Sequence, residues 1–322
     1  MSFLEVAMRT YILSFSVLCL GLFFLANATD AADYLGFVTN YGDREALVIA
    51  MIQNGTIIPY DCSGENRIGP QENTVCRLFD LSGFFEGSFD LTSKTWDADL
   101  ASDETDGDFT GWEYRLKPSL KDDYKHLLWW TGPDDAIIAT KSKLNKDTYA
   151  HFGTDILHNC GIIGITVEPD DVHQIIRCDL TSDGTEEVIY IFDSLRREGS
   201  HSAVKQDLFS GVVLRYIDKS GDVQSEVIYL CANDKANELS LDIGGILSDR
   251  GGLWSWDDVY IQDPPNVEAY TDAYELVGII DVDGNGDYEF VLYYMGFEWD
   301  GYDLLDFDGQ KVSVVASNGW GV

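Results

Sequence analysis

The chain has 322 residues and a net charge of −35, from 56 acidic and 21 basic residues. It has no concentration of basic residues that would bind phosphate groups, so nucleic acid and anionic membrane surfaces are excluded as partners. The acidic residues are scattered in short loops between apolar segments, an arrangement that keeps a folded protein soluble and attracts divalent cations.

The first distinctive element is an uncharged apolar segment, YILSFSVLCLGLFFL, at residues 11–25. It is shorter than the run of about 20 apolar residues that spans a membrane as a helix. The small-residue triplet 26–28 follows it, so residues 1–28 are predicted to be a secretory signal peptide. The rest of the chain is therefore expected to be secreted, in a periplasm or outside the cell. An uncleaved membrane anchor is the alternative.

Beyond the leader the chain is predicted to consist of short β-strands. Aromatic residues make up 13% of the sequence, and 30 glycines but only 7 prolines punctuate it. Runs of β-branched and aromatic residues recur between Gly, Asp and Asn clusters, as in all-β proteins. No helical periodicity is sustained, so no helix is predicted here. The predicted strands are 35–41, 46–52, 56–60, 126–130, 136–140, 161–167, 188–192, 211–217, 226–230, 290–294 and 311–317.

Five of the six cysteines lie beyond the leader. An oxidising compartment favours disulfides between them. Cys62 with Cys76 and Cys160 with Cys178 are predicted to close short loops, which leaves Cys231 unpaired in an apolar strand. Other pairings and buried reduced thiols are the alternatives.

Two segments of the second half of the chain repeat each other. CDLTSDGTEEVIYIF (178–192) aligns with IDVDGNGDYEFVLYY (280–294) at an offset of 102 residues, since 281 − 179 = 102. Apolar runs flank both copies, and each copy is followed by a loop, a strand, a turn and a last strand. Each unit is therefore predicted to contain four antiparallel strands, with an oxygen-rich loop between the first and the second.

A four-stranded unit exposes an apolar face that it cannot bury alone, and radial stacking into a β-propeller buries it. Units of roughly 40 to 60 residues would give about five to seven blades. The predicted fold is all-β, a β-propeller-like array of four-stranded antiparallel units. Residues 29–165 would form an N-terminal β-rich half with possible blades, and residues 166–322 the repeat half. A β-rich N-terminal domain followed by a repeat domain is the alternative.

The loop 281–289, called the downstream loop below, places oxygen atoms at alternating positions. Calcium takes six to eight oxygen ligands at about 2.3–2.6 Å, and such a loop supplies them as it curls. Gly286 lies at the sixth position of the loop, where the chain must turn sharply. An EF-hand needs a bidentate acid at the twelfth position, and Leu292 there excludes one. A plain hairpin turn is the alternative. The predicted ligands are Asp281, Asp283, Asn285, the backbone carbonyl of Asp287, and Glu289.

The loop 179–187, called the upstream loop below, is the earlier copy. Thr181 stands where the downstream loop has an acid, which is the main difference between the two. A third oxygen-rich stretch, 218–226, is predicted to be an ordinary hairpin turn. The predicted ligands of the upstream loop are Asp179, Thr181, Asp183, the backbone carbonyl of Thr185, and Glu187.

The pattern D-x-D-x-N-G-x-x-E between two apolar strands resembles the cation loop of the VCBS and FG-GAP repeats of integrin-type β-propellers. The resemblance covers two units, about 170–232 and 272–322, and the VCBS repeat is the closer match because the FG-GAP dipeptides are absent. It implies Ca²⁺ at the matching positions, where the ion would stiffen each unit. It also implies extracellular recognition of, or adhesion to, a protein or glycan ligand.

Two groups of tryptophans with acids raise the alternative of an enzyme. Trp129-Trp130 precede Asp134-Asp135, and 254–258 reads WSWDD. Glycosidases use paired carboxylates, and aromatic rings stack on sugars, but aromatic residues beside an apolar strand are more often core. No hydrolase or phosphate-loop motif is present. The expected function is a secreted calcium-stabilised binding protein without catalysis, and a carbohydrate-active hydrolase or lyase on an all-β scaffold is the alternative.

Overall fold

The computed structural model covers the β-rich body of the chain, with gaps. It leaves several predicted features outside its described residues: the leader, Cys62, the strand 136–140, the acids Asp134 and Asp135, and the WSWDD stretch at 254–258. The described residues are 32–38, 45–60, 69–85, 88–95, 112–118, 126–133, 145–195, 202–203, 208–234, 239–243, 260–261, 271–296 and 299–321.

The N-terminal half forms one antiparallel sheet that closes on itself. Its strands are β1 (Asp33–Val38), β2 (Glu45–Gln53), β3 (Thr56–Pro59), β4 (Thr74–Asp80), β5 (Gly83–Phe84), β6 (Phe89–Thr95), β7 (Trp112–Lys117) and β8 (Leu128–Trp130). The order β1-β8-β4-β6-β7-β2 is closed by pairing between β1 and β2, which makes a barrel-like ring of six strands. We call these six strands the ring. It differs from the four-stranded blades considered for this half.

Alternation along each strand divides the side chains of the ring between its interior and its outer surface. On β1, Tyr34 and Val38 pack inside the ring, whereas Leu35 and Phe37 pack outside it. Gly36 leaves space for the indole of Trp129 in the interior, because a Cβ on Gly36 would lie 2.3 Å from that ring. The outer residues form an apolar surface that needs a partner.

The helix α1 (Lys146–Asn159) contradicts the expectation that no helix follows the leader. Its apolar residues Tyr149, Phe152, Ile156 and Leu157 recur at helical spacing on the face that packs against repeat 1. Asn145 caps its N-terminus by accepting a hydrogen bond from the backbone N–H of Asp147. The predicted strand 161–167 is also wrong. That segment is irregular, and Ile162, Ile165 and Val167 pack beside α1.

The two predicted repeats each form antiparallel strands in the expected order. Repeat 1 contains β9 (Val172–Cys178), β10 (Glu187–Asp193), β12 (Leu208–Ile217) and β13 (Val223–Asp234), and its sheet continues to β14 (Leu239–Ile243) and β15 (Tyr260–Ile261). Repeat 2 contains β16 (Thr271–Ile280), β17 (Glu289–Met295), β18 (Trp299–Phe307) and β19 (Val312–Gly321), joined at its edge by β11 (Ser202–Ala203). In both repeats the oxygen-rich loop lies between the first two strands.

Apart from 161–167, every predicted strand within the described residues overlaps an observed one, and the all-β class is confirmed. The strands that were not predicted are β4, β5, β6, β7, β11, β14 and β15. In β6 (FDLTSKT) and β7 (WEYRLK) polar and charged residues interrupt the apolar run, so composition alone gives a weak signal there.

The sheet of repeat 2 lies between the ring and repeat 1. Phe37 of the ring stacks on Tyr302 of repeat 2, with ring centroids 4.2 Å apart. On the opposite face, Tyr229 of repeat 1 stacks on Tyr274 at 4.8 Å. The remote face of repeat 1 is covered by α1, where Tyr149 packs on buried side chains. The described residues thus form a linear stack of ring, repeat 2, repeat 1 and helix, in which no closed ring of blades is seen.

One predicted disulfide is not formed, and the other lies partly outside the described residues. Cys160 and Cys178 are both free thiols. Cys160 packs on the face of repeat 1 that α1 covers, whereas Cys178 packs on the opposite face, against repeat 2. The sheet therefore separates the two sulfur atoms. Cys76 is a buried free thiol inside the ring, and burial raises its pKa to about 12.

No helix in the part of the chain that the structure describes has the length and apolar character needed to cross a membrane.

A buried carboxylate joins the two repeats. Asp303 of repeat 2 accepts hydrogen bonds from the hydroxyl of Tyr229 in repeat 1 at 2.6 Å and from the hydroxyl of Ser317 at 2.5 Å. Burial raises the pKa of Asp303, and the two hydrogen bonds offset part of that rise. The charged form of Asp303 is stabilised by these two hydroxyl donors, because water does not solvate it.

We therefore expect Tyr229→Phe to destabilise the protein by about 1.5–3 kcal/mol, since it leaves the Asp303 carboxylate with one donor fewer. Tyr216→Phe is the matched control, because its hydroxyl donates to the exposed carbonyl of Gln310 at 2.8 Å. That loss should be about 0.5–1.5 kcal/mol at most. Urea unfolding measures both. Equal losses would contradict a special role for the buried contact.

Candidate cation-binding loops

The downstream loop is shaped by its own side-chain oxygens, which accept hydrogen bonds from the backbone. Asp281 accepts from the N–H groups of Gly284 at 2.8 Å and Gly286 at 3.1 Å, one on each carboxylate oxygen. Asp283 accepts from the N–H of Asn285 at 3.0 Å. These bonds from the backbone to the side chains hold the loop in a tight curl.

The upstream loop repeats this arrangement. Asp179 accepts from the N–H groups of Asp183 at 3.1 Å and Gly184 at 2.9 Å, again one on each oxygen. Asp183 accepts from the N–H of Thr185 at 2.7 Å, as Asn285 at the equivalent position accepts from the N–H of Asp287 at 2.6 Å. The left-handed backbone is also matched, since Ser182 has φ +52° where the downstream loop has Gly284 at +75°. The sequence repeat therefore describes one loop conformation used twice.

A glutamate at the end of each loop bonds back to the start of the same loop. Glu187 accepts from the backbone N–H of Leu180 at 2.7 Å, and Glu289 accepts from that of Val282 at 2.9 Å. Both residues are buried, with 3% and 1% of their surface exposed. These two carboxylates are thus the ligand candidates that the fold removes most completely from water.

The charged forms of the two closing glutamates are disfavoured in the folded protein. Burial, with a further contribution from Asp283, raises the pKa of Glu289 to about 8, although the hydrogen bond from Val282 opposes the rise. Burial also raises the pKa of Glu187. A divalent cation in the loop would remove this penalty, because it favours the charged form of each carboxylate.

The two loops lie in direct contact, which the sequence did not predict. The backbone N–H of Tyr288 donates to the carbonyl of Leu180 at 2.7 Å, and the hydroxyl of Ser182 donates to the carbonyl of Gly286. The pKa of Asp287 is raised by burial and then by its own loop's acids and by Asp179 and Asp183 of the upstream loop. All ten predicted ligand positions therefore belong to one edge of the stack.

The side-chain oxygens of the two loops are ligands of the kind that a hard cation takes. Each carboxylate oxygen has two lone pairs, so an Asp281 oxygen that accepts one N–H keeps a second lone pair for a metal. Each loop also offers three carboxylates and one neutral side chain, Thr181 in the upstream loop and Asn285 in the downstream loop. Within the described ranges, no three His, Cys, Asp or Glu side chains converge as a ready-made metal cluster.

The third oxygen-rich stretch is a hairpin turn between β12 and β13, as predicted. Asp218 accepts from the side chains of Ser220 and Gln224, and these bonds lower its pKa to about 2. Glu226 points elsewhere, to the backbone N–H of Val312 in repeat 2, at 3.1 Å. The turn thus satisfies the Asp218 carboxylate with its own donors.

The tryptophans considered for sugar binding do not form an exposed surface where the structure describes them. Trp129 and Trp130 have 0% and 1% of their surface exposed. Their indole N–H groups donate to the carbonyls of Phe37 at 3.2 Å and Pro133 at 3.0 Å. Both rings are therefore core residues. The other group, 254–258, lies outside the described residues.

Comparison with known proteins gives no match: no family model, no curated protein and no solved structure is significantly similar to this chain.

The raised pKa of Glu289 predicts that the stability of the calcium-free protein depends on pH. Its folded pKa of about 8 lies above the ordinary 4.5, so its contribution to stability is complete below pH 4.5 and is lost as the pH rises through 8. Glu289→Gln keeps an acceptor for Val282 but does not titrate. Relative to this variant, the free energy of unfolding of the wild type in chelator should fall by up to a few kcal/mol between about pH 4.5 and pH 8.

Urea unfolding at several pH values in chelator measures this difference. Glu186→Gln is the control, because Glu186 is exposed and pairs only with Arg177 at 3.4 Å. The control should follow the wild type. If Glu289→Gln also followed it at every pH, the buried charge would not be a cost to the empty loop.

Proposed function

We propose that this protein is a secreted, calcium-stabilised binding protein of the VCBS-like class, which recognises an extracellular protein or glycan and catalyses no reaction. The observation that carries the proposal is the pair of equivalent loops, each with three carboxylates and each closed by a buried glutamate. A plain hairpin turn needs no buried carboxylate with a raised pKa. The predicted leader at residues 1–28 supports export to a compartment where calcium is available at millimolar concentration.

The proposed role of calcium is to hold the edge of the stack together. Asp281, Asp283 and Glu289 would hold it in the downstream loop with the Asn285 side chain and the Asp287 carbonyl. Calcium would supply positive charge there and replace repulsion among these groups by attraction. The hairpin between β2 and β3 approaches the same loop. A Cβ on Gly55 of that hairpin would lie 3.0 Å from the Asp283 carbonyl oxygen.

We also propose that the two repeats pack as consecutive units of a propeller-like array. Consecutive propeller blades pack face to face, as repeats 1 and 2 do through their shared apolar cluster. The alternative of a hydrolase gains no support from the described tryptophans, which are core residues. Recognition by an exposed surface of the stack is therefore favoured over catalysis.

Calcium should raise the melting temperature of the full chain. Extracellular sites of this kind bind calcium at about 0.1–1 mM, so several millimolar calcium stabilises the folded state by roughly 1–2 kcal/mol. The expected rise is a few degrees, with a smaller rise in magnesium. Asp281→Ala should remove most of the difference, whereas Asp222→Ala in the hairpin turn should not. Identical melting curves in calcium and chelator for the wild type would refute the proposal.

Recognition is tested separately from calcium binding. A glycan array and immobilised extracellular matrix proteins, probed in calcium and in chelator, should show calcium-dependent binding without release of reducing sugar. Release of reducing sugar that Asp257→Asn abolishes would instead establish the hydrolase alternative.

A further inference from the structure

Two arginines of repeat 1 lie on either side of one buried residue. In the register of the sheet, Val188 of β10 is directly opposite both Arg177 of β9 and Arg215 of β12. Directly opposite residues lie on the same face of a sheet, and this is the face that α1 covers. Neighbouring strands are about 4.8 Å apart, so the two arginines start about 10 Å from each other. Side chains of this length can reach one common ligand.

Arg215 carries a positive charge that no carboxylate neutralises in the part of the chain that the structure describes. The chain has 56 acidic and only 21 basic residues, yet Arg215 forms no ion pair with a described residue. Its Cζ atom lies 3.8 Å from the centroid of the Phe152 ring of α1. This stacking covers one face of the planar guanidinium and leaves the N–H groups of its edge for an acceptor.

The hydroxyl of Tyr190 is a second donor without an acceptor among the described residues. Tyr190 has 0% of its surface exposed, and its hydroxyl has no hydrogen-bond partner there. Ile175 and Val213 are directly opposite Tyr190, so the two arginines lie two residues further along, diagonal to it and within reach of a long side chain. A buried hydroxyl that makes no hydrogen bond costs stability, so its presence calls for an acceptor from elsewhere.

Tyr149 of α1 joins the same group. Its ring packs edge-on against that of Tyr190, with centroids 5.1 Å apart. Burial raises the pKa of Tyr149, and the charges of Arg215 and Arg177 oppose that rise. Burial also raises the pKa of Tyr190, where Arg215 opposes the rise and the exposed Asp155 adds to it. We call Arg177, Arg215, Tyr149 and Tyr190 the arginine–tyrosine cluster.

We propose that the arginine–tyrosine cluster binds a carboxylate group of the extracellular ligand, held by the guanidinium groups of Arg177 and Arg215 and by the Tyr190 hydroxyl. This inference names the chemistry of the ligand, so it rests on the proposed recognition function but not on calcium. The two oxygens of a carboxylate match the fork of N–H groups that a guanidinium presents. Acidic sugars and acidic peptides both carry this group.

Access and competition at the cluster follow from the burial of its members. Tyr190 is fully buried, whereas Arg215 and Phe152 are only partly buried, so movement of this stacked pair admits the carboxylate. Arg177 pairs with Glu186 at 3.4 Å, and both side chains are about half exposed. An ion pair so exposed is weak, so Glu186 is a displaceable competitor of the ligand.

The negative charge of the whole chain does not prevent this binding. At physiological ionic strength, interactions between exposed charges fade beyond about 8 Å. Hydrogen bonds between a guanidinium and a carboxylate act at about 2.7–2.9 Å, where the nearby arginines outweigh distant acids. The local donors therefore decide whether the anion binds.

Titration of the full chain with sodium glucuronate, in chelator and at constant ionic strength, tests the site. Binding is followed by the NMR signals of the arginine Nε–H groups. The wild type should saturate, whereas neutral glucose should not bind. Arg215→Met keeps an apolar contact with Phe152 but removes the charge, and it should weaken binding about tenfold or more. Arg77→Met is the matched control, because the Arg77 guanidinium also stacks on a phenylalanine, Phe84, at 4.8 Å. This control should bind as the wild type does.

Two further variants separate binding from folding. Tyr190→Phe removes a hydroxyl that has no acceptor among the described residues, so urea unfolding of the ligand-free variant should show no loss of stability. Its affinity for glucuronate should nevertheless fall about threefold or more. Glu186→Gln frees Arg177 from its competitor, so the affinity should rise. A purely structural role of the cluster would produce neither change in affinity.

A second titration with N-acetylglutamate identifies the source of the carboxylate, since the tighter of the two ligands indicates an acidic sugar or an acidic peptide. The site would be overturned if neither carboxylate saturated the wild type, or if sodium sulfate bound as tightly as both. Unchanged affinity in Arg215→Met and Tyr190→Phe would overturn it as well. Carboxylate binding by the cluster without any retained glycan or protein ligand would instead overturn the proposed function and leave the site.

Discussion

Burial of the repeat 2 sheet on both faces is the constraint on which the rest of the structure depends. Five successive residues of β17, from Glu289 to Tyr293, are buried. Alternate side chains of that strand enter the cluster shared with the ring and the cluster shared with repeat 1. Full burial of each large apolar side chain contributes about 1.5–3 kcal/mol. The ring and repeat 1 are therefore held together through a sheet that neither could leave without exposing its own apolar face.

The same constraint brings the two loops together. Both begin at the end of the first strand of a repeat, and the repeats pack face to face with these strand ends at one edge. The buried Glu289 begins the buried strand, so the loop that it closes is anchored in the core. A change in the loop therefore acts directly on the packing of repeat 2 between its neighbours.

Environment decides how the carboxylates of this acidic protein behave. Asp218 in its exposed turn gains several donors, and its pKa falls to about 2. Glu289 gains one donor but is buried among other acids, and its pKa rises to about 8. Asp303 is buried between repeats with two hydroxyl donors and no cation, and its pKa is also raised. Similar residue types thus serve as a satisfied turn, a candidate cation ligand and an inter-repeat contact.

The sequence by itself determined the elements whose signals are local. Runs of β-branched and aromatic residues located most strands, and the spacing of Asp, Asn, Gly and Glu located both loops, because a loop that curls on its own side chains needs those residues in that order. The helix α1 was missed although Tyr149, Phe152, Ile156 and Leu157 recur at helical spacing, because that signal is confined to one short segment of a strand-rich chain. Only the tertiary structure decided that the N-terminal half closes into a ring, that Cys160 and Cys178 lie on opposite faces of one sheet, and that the two loops touch. Those facts depend on how distant apolar faces pair, and residues far apart in the chain leave no mark on each other's local pattern.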